Sequence, residues 1–303
     1  MTTRDSMVLS DAQAEHFGEE LDALRREVLD DLGQDDVDHI RRIIRLCRYS
    51  EAGGRLMLHV GVGPVSFVLG VGALTLAKIL ENMEIGHNVM HGQYDWTRDP
   101  DLDSHTYEWD TACTGDNWRH YHNYEHHTFT NTLGKDRDIG YGLIRVSSEQ
   151  PWNVTHLTQP VSALVLAALF QWGVAMHDLR VEEVFTGEQT PAGFYERSRP
   201  FLKKARWQLL KDYVLFPALA LGNAPRVAAG NLLANLGRNL WTFAVIFCGH
   251  FPDGAQVFTE DDDDAVNDDS RGRWYLRQVN GSANIEGSRA FHVLTGHLSH
   301  QIE

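Results

Sequence analysis

The sequence predicts an all-α integral membrane protein whose helices carry a histidine-rich cap on one side of the bilayer. Residues 56–77 and 157–176 contain no Asp, Glu, Lys or Arg, and each stretch has about the ~20 residues that a helix needs to cross a bilayer. Sixteen histidines are present, and seven of them fall between His87 and His127. Neutral imidazole is the commonest protein ligand for transition metals, so this clustering predicts a metal centre that several segments build together.

Composition excludes several other classes of protein. The 42 acidic and 27 basic residues give a formal net charge of −15, which disfavours nucleic acid as a partner because phosphate binding needs a basic surface. The three cysteines, Cys47, Cys113 and Cys248, are too widely spaced for a disulfide framework or a cysteine-based zinc site. A soluble protein with buried core helices is the alternative to the membrane interpretation of the two apolar stretches.

We divide the chain into an N-terminal helical region, residues 1–54, and a membrane domain, residues 55–303. The first region ends in a cluster of arginines: Arg41, Arg42, Arg45, Arg48 and Arg55. Beside an apolar segment, such a cluster marks a cytoplasmic flank by the positive-inside rule, although a solvated basic helix face has the same composition. We therefore expect the cytoplasmic membrane as the location, with the histidines on its cytoplasmic side.

The first apolar segment predicts a broken helix followed by a long one. Gly61, Gly63 and Pro64 interrupt it, because proline with neighbouring glycines kinks or ends a helix. A helix that starts near Pro64 can continue unbroken to His91. If the arginines and His87 lie on the same side of the membrane, an even number of crossings must separate them. Either a short broken hairpin forms around residues 61–64, or the arginines do not report topology.

The rest of the chain alternates between polar and apolar segments. We expect a second crossing over residues 157–176, an extramembranous charged segment over residues 177–212, and a second hairpin from two weaker apolar stretches, residues 213–225 and 239–252. The acidic run of residues 260–264 is typical of a solvated loop.

Three groups of histidines have the spacing of metal ligands. His87 and His91 are four residues apart and so share one face of a helix. His122 and His126 repeat this spacing, and the adjacent His127 points about 100° away on a helix, which allows two neighbouring metals to be served. His297 and His300 form the third group. Histidine-rich sites with few cysteines suit iron, zinc, copper or nickel. The donors are too many for one tetrahedral zinc, and iron that carries out oxygen chemistry fits a multi-histidine site beside a membrane.

These groups resemble the three histidine boxes of the membrane fatty-acid desaturase superfamily. Box one, H-x3-H, corresponds to His87 and His91, and box two, H-x3-H-H, to His122, His126 and His127. Box three often reads Gln-Ile-Glu-His-His, and this chain ends with Gln301-Ile302-Glu303. The flanking sequences of residues 84–93 and 247–252 are similar to those of actinobacterial acyl desaturases.

The resemblance implies a cytoplasmic diiron centre that uses O2 and an acyl chain that lies in an internal tunnel. It implies that His250, which follows the last span, is a further ligand beside His297 and His300, with no catalytic residue beyond the metal ligands. The acyl substrate would be linked to CoA, a carrier protein or a lipid. Electrons would come from a ferredoxin- or cytochrome b5-type donor with its reductase, since the His-Pro-Gly-Gly signature of a fused cytochrome b5 is absent.

Because the chain ends at Glu303, before the paired histidines of box three, we expect it to be inactive or severely impaired as written. Carboxylates near the histidines, Glu84, Glu125 and Glu303, are candidates for holding imidazole tautomers. Trp96, Trp109 and Trp118 either line the acyl tunnel or sit at the membrane interface, where tryptophan is common, and we favour the interface.

Three alternatives to a desaturase remain open at this point. A lipid hydroxylase or ketolase on the same diiron platform would carry the same boxes. A membrane haem-binding electron carrier also places histidines on facing helices. A non-catalytic truncated remnant is compatible with the ending at Glu303.

Overall fold

The structure, a computed structural model, describes residues 9–259 and 270–298 and confirms the all-α prediction for them. In these two ranges there is no strand, and one isolated parallel bridge joins Thr132 to Phe258. The α-helices are α1 Asp11–Asp31, α2 Gln34–His59, α3 Gly63–Leu80, α4 Asn88–Met90, α5 Gly115–Trp118, α6 His127–Phe129, α7 Gln159–Ala168, α8 Phe170–His177, α9 Glu182–Thr186, α10 Pro191–Leu210, α11 Phe216–Leu219, α12 Ala224–His250, α13 Arg271–Gly281 and α14 Arg289–Leu294.

Three segments between these helices are π-helical: π1 Glu81–His87, π2 Arg119–His126 and π3 Lys211–Leu215. Short 3₁₀ turns connect other elements: Asp95–Thr97, Pro100–Leu102, Ile139–Gly142, Val154–Thr158 and Leu221–Asn223. π-Helical turns are rare in proteins, and those that occur are frequently found at functional sites. Here π1 and π2 contain residues of the first two histidine groups.

Helices α2 and α3 form the broken hairpin that was one of two topological possibilities. The chain turns after His59, and Pro64 occupies the first turn of α3, where its missing N–H costs nothing. The helices approach closely at glycines, since a Cβ on Gly54 would lie 2.9 Å from the carbonyl oxygen of Gly70. Arg48 on α2 lies 3.4 Å from Glu81 at the far end of α3. The arginine cluster and the first histidine group therefore lie at the same end of this hairpin.

Two continuous helical stretches, Gly63–Met90 and Leu221–His250, are long and apolar enough to cross a membrane. The first joins α3, π1 and α4 and confirms the expected unbroken helix. The second packs against it through α12, where Leu58 of the neighbouring α2 fills the space beside Gly230. Both stretches end in candidate ligands, the first beside His91 and the second at His250.

The second crossing, expected over residues 157–176, is bent in the structure. Residues Val154–Ala168 and Phe170–His177 form two helices that are bent by 101° at Leu169. The side chain of Leu166 packs across the bend onto Gly173, which has no side chain to block it. Tyr141 and Phe170 join Leu166 in one buried cluster. Apolar composition predicted burial of this segment, but it does not determine whether the helix is straight.

The expected second hairpin exists with different boundaries. Residues 239–252 are not a separate arm, because α12 already begins at Ala224. The first half of α12 carries the polar residues Asn231, Asn235 and Arg238, whose side chains are buried inside the bundle. These side chains lower the mean hydropathy of a helix that is otherwise apolar, which is why the sequence pattern detected only its second half.

The N-terminal helix α1 packs against α13, and the two are linked by ion pairs. Arg273 donates to Asp11 at 2.7 Å, and Tyr275 donates to Asp22 at 2.8 Å. Gly18 and Gly272 let the two backbones meet, since a Cβ on Gly18 would lie 2.9 Å from the amide nitrogen of Gly272. The predicted boundary between residues 54 and 55 falls inside α2, and the division into two domains stays a prediction.

Candidate metal centre and the adjoining cavities

The first histidine group lies at the end of the first long helical stretch. His87 is the last residue of π1, and His91 follows α4. The Nε2 atoms of the two rings are 3.3 Å apart, so the four-residue spacing does direct both rings to one point.

The second group lies on π2, which continues from the short helix α5. The Thr114 side chain caps α5 by accepting from the amide of Asn117. The Nε2 atoms of His122, on π2, and His127, the first residue of α6, are 3.2 Å apart. The rings of His126 and His127 are inclined at 73°, so adjacent residues face different directions as their spacing predicted.

The two groups meet and form two adjacent sets of possible ligands. One nitrogen from each of His87, His91 and His122 lies within 4.8 Å of the others. A second set consists of His122, His126 and Asp138 by the same criterion. Because His122 belongs to both sets, the two sets lie next to each other. Two adjacent sets of this kind offer room for two neighbouring metal ions.

His127 and His250 complete this gathering of rings. The ring of His127 is 4.6 Å from that of His91, and the ring of His250, at the end of α12, is 5.0 Å from that of His126. The structure therefore brings together six of the histidines selected from the sequence: His87, His91, His122, His126, His127 and His250.

The third histidine group has a different environment. Nδ1 of His297 donates to the buried carboxylate of Glu84 at 2.9 Å, and Nε2 of His39 donates to the same carboxylate at 2.7 Å. The hydrogen bond to Glu84 raises the pKa of His297. Glu84 thus holds a tautomer, as expected for one of the three carboxylates. His300 and Glu303 lie outside the described residues, and ligation by His297 and His300 stays a prediction.

Burial keeps the shared ring neutral. The pKa of His122 lies well below its ordinary value because burial disfavours the charged form, and the surrounding histidines act in the same direction. A neutral imidazole has a free lone pair on one nitrogen, which is the form that binds metals. His126 is held by Asp136, whose carboxylate accepts from Nδ1 at 2.9 Å. This leaves Nε2 of His126 for a ligand.

Several residues of the site were missed or misjudged from the sequence. Asp136 and Asp138 follow the second group in a loop, and no repeat or motif signalled their role. The interface interpretation of Trp109 and Trp118 was wrong, since both are buried. The ring of Trp118 lies 4.4 Å from that of His122. Trp96 is exposed. Glu125 pairs with Arg180 and lies 3.5 Å from His120.

A narrow cavity extends from the histidines between the helices. His87, His122 and His250 line it together with aromatic and aliphatic side chains: Met83, Trp109, Trp118, Tyr141, Phe170, Val174, Ile246 and Leu298. Such a wall is largely apolar and disfavours water beside the histidines. Buried carboxyls also reach this cavity, and burial raises the pKa of Asp138 to about 6 and that of Asp178 to about 7.

A second, larger cavity of about 670 Å³ adjoins the first and is polar. The two cavities share Asn82, Trp109 and Thr111. Basic side chains on its wall come from four helical elements: Arg48, Lys78, Lys203, Lys204 and Lys211. Acidic residues balance them, with Lys204 paired to Glu108 and Lys211 to Asp110. The pair of cavities offers an apolar compartment next to the histidines and a polar compartment beside it.

The model of the fatty acid desaturase family matches residues 62–303. The chain belongs to the fatty acid desaturase family. It is 45% identical over 299 residues to the NADPH-dependent stearoyl-CoA 9-desaturase of Mycobacterium tuberculosis in two strains, a match that covers 97% of this chain and 69% of that protein. It is also 27% identical over 254 residues to the sn-1 linoleoyl-lipid 6-desaturase of Synechocystis sp., covering 79% of this chain and 68% of the relative. No solved structure gives a significant match.

The family confirms what the histidine boxes implied. This chain is a membrane fatty acid desaturase and thus an O2-dependent oxidoreductase of fatty acid metabolism. Both relatives are named as desaturases, which favours desaturation over the hydroxylase and ketolase alternatives and over a haem-binding carrier. The impairment expected from the ending at Glu303 stays a prediction.

Proposed function

We propose that this desaturase introduces a double bond into a long acyl chain of the stearoyl type, linked to CoA, at a histidine-ligated diiron centre. The single observation that carries the proposal is that the histidines of the first two groups meet beside an apolar cavity. Overall, one O2, two electrons and two protons are consumed, two adjacent methylenes each lose one hydrogen, and two molecules of water form.

The donor set of the site fits iron. Imidazole nitrogens with a nearby carboxylate suit iron rather than magnesium or calcium, which prefer oxygen ligands. The proposed ligands are His87, His91, His122, His126, His127 and His250, with His297 and His300 as further candidates. When bound, the iron supplies O2 activation, for which a ferredoxin- or cytochrome b5-type donor with its reductase provides electrons.

The residues of the chain hold the substrate and keep water away. Trp109 and Trp118 are buried between the histidines and the cavity, and Phe170 and Ile246 extend the apolar wall. Since methylenes are chemically alike, the depth of this cavity and not a polar contact would select the position of the double bond. The polar cavity beside Trp109 would take the head group.

Two observations support the head group and the membrane side. The Mycobacterium tuberculosis relative is named for stearoyl-CoA and for NADPH dependence, and its identity to this chain is higher than that of the lipid desaturase. Arg48 of α2 lies 3.4 Å from Glu81, the first residue of the π1 segment that ends at His87, which by the positive-inside rule favours the cytoplasmic side for the centre.

Product analysis tests this proposal. Membranes that contain the chain would receive stearoyl-CoA, NADPH and a ferredoxin with its reductase, and fatty acid methyl esters would be analysed by gas chromatography and mass spectrometry. We expect octadecenoate with the double bond at one position, and a hydroxylated saturated chain would contradict desaturation.

A further inference from the structure

Two carboxylates in one loop face two histidines of the second group. Asp136 accepts from Nδ1 of His126 at 2.9 Å. Asp138 lies with Oδ2 3.5 Å from Nδ1 of His122, and its other oxygen lies 3.6 Å from Nε2 of His177. The two acids are two residues apart, and the two histidines are four apart on π2.

The loop holds these carboxylates in place. Oδ2 of Asp136 also accepts from the amide of Asn131 at 2.8 Å, and Oδ1 accepts from the amide of Asp138 at 2.9 Å. After Asp138 the chain makes a tight turn in which Gly140 and Tyr141 both have positive φ. The buried Tyr141 ring packs 5.5 Å from the ring of His177, so the second partner of Asp138 is fixed as well.

The opposite side of each histidine faces the centre. Nε2 of His122 lies 3.2 Å from Nε2 of His127, while its Nδ1 faces Asp138. A neutral imidazole carries its proton on one nitrogen only. A carboxylate at Nδ1 therefore favours the tautomer with the proton on Nδ1 and leaves the lone pair of Nε2 for a metal.

We propose that Asp136 and Asp138 are a pair of positioning residues that fix the tautomers of His126 and His122. The inference rests on the proposed metal centre and extends it to residues that the histidine boxes do not include.

The first measurement reads the tautomers directly. Nitrogen-15 spectra of the histidine-labelled apo chain in detergent would be compared with those of Asp138→Asn and Asp138→Glu. We expect His122 to carry its proton on Nδ1 in the unchanged chain and in Asp138→Glu. In Asp138→Asn the population with the proton on Nε2 should grow. An unchanged His122 tautomer in the folded Asn variant would overturn the proposal. If the Asn variant does not fold, the unchanged chain and Asp138→Glu still test the proposal. A His122 proton on Nε2 in either of them would overturn it.

The second measurement is a cobalt(II) titration followed by visible absorption. Removing a carboxylate that holds a metal-binding histidine typically lowers the metal affinity about 10–100-fold. We expect cobalt affinity to fall by this factor in Asp138→Asn and Asp136→Asn. Asp95→Asn is the control, since it removes one carboxylate that contacts Ser104 and not a histidine. Its cobalt affinity should equal that of the unchanged chain. An equal loss in the control would overturn the proposal by indicating a general charge effect.

A cysteine variant separates positioning from direct ligation. Thiolates bind transition metals strongly, and a thiolate bound to cobalt(II) gives an intense charge-transfer band. We expect no new band in Asp138→Cys, and its appearance would show that residue 138 binds the metal itself. If the unchanged chain takes up no cobalt, the proposed metal centre fails, while the tautomer measurement still decides the role of Asp138.

Discussion

His122 is the residue on which the arrangement of the other histidines depends. It belongs to both sets of possible ligands, its ring packs against Trp118, and burial keeps it neutral. The spacing H-x3-H-H selected this residue from the sequence. Its partners Asp136 and Asp138 could not be predicted, because they approach through a turn with positive φ at Gly140 and Tyr141 that leaves no periodic pattern.

The buried Asp178 predicts a pH dependence of stability. Burial raises its pKa from the ordinary 3.8 to about 7, so between these values the folded chain binds a proton that the unfolded chain releases. Stability is therefore present at low pH and is lost as the pH rises toward 7, by up to about 1.4 kcal/mol for each pH unit. We expect the melting temperature in detergent to fall from about pH 5 to about pH 7.5, and to fall less in Asp178→Asn.

The control for this prediction is Asp95→Asn. Asp95 accepts from the amide and hydroxyl of Ser104 at 2.8 and 2.7 Å, away from the cavity. This variant should retain the pH slope of the unchanged chain. If the melting temperatures of the unchanged chain and Asp178→Asn depended on pH in the same way, Asp178 would not hold a proton in the folded state.

The hairpin of α2 and α3 is the element that determines where the first histidine group lies. Its close approach depends on small residues, since a Cβ on Gly54 would lie 2.9 Å from backbone atoms of both Gly70 and Leu74. Apolar composition predicted α3, and the glycines and proline predicted the break before it. The close packing of α2 could not be predicted, because α2 is charged and amphipathic and does not have the composition of a membrane span.

Two adjacent glycines test this packing. Gly54→Ala should destabilise the chain by about 1–3 kcal/mol, because a methyl group there forces the two backbones apart. Gly53→Ala is the matched control on the same helix, since nothing lies within 4 Å of its added Cβ and alanine favours a helix by about 0.5–1 kcal/mol over glycine. Thermal unfolding in detergent should show a lower melting temperature for Gly54→Ala alone. Equal melting temperatures for both variants would contradict the packing.

At the scale of the whole molecule, the long helices end near histidines that lie together at one end of the bundle. The stretch Gly63–Met90 ends beside His91, α12 ends at His250, and the rings of His250 and His126 are 5.0 Å apart. The sequence predicted the helices and most of the gathered histidines. It could not predict the 101° bend at Leu169 or the polar cavity, because both result from contacts between distant segments.

The most direct test of the account is an anaerobic titration of the chain in detergent with ferrous iron, comparing His122→Ala with His105→Ala. His122 is the residue common to both ligand sets, and His105 is exposed. We expect the unchanged chain and His105→Ala to retain iron after desalting, whereas His122→Ala should lose it. Equal iron retention in His122→Ala and the unchanged chain, or no retention in either, would contradict a metal centre built around His122.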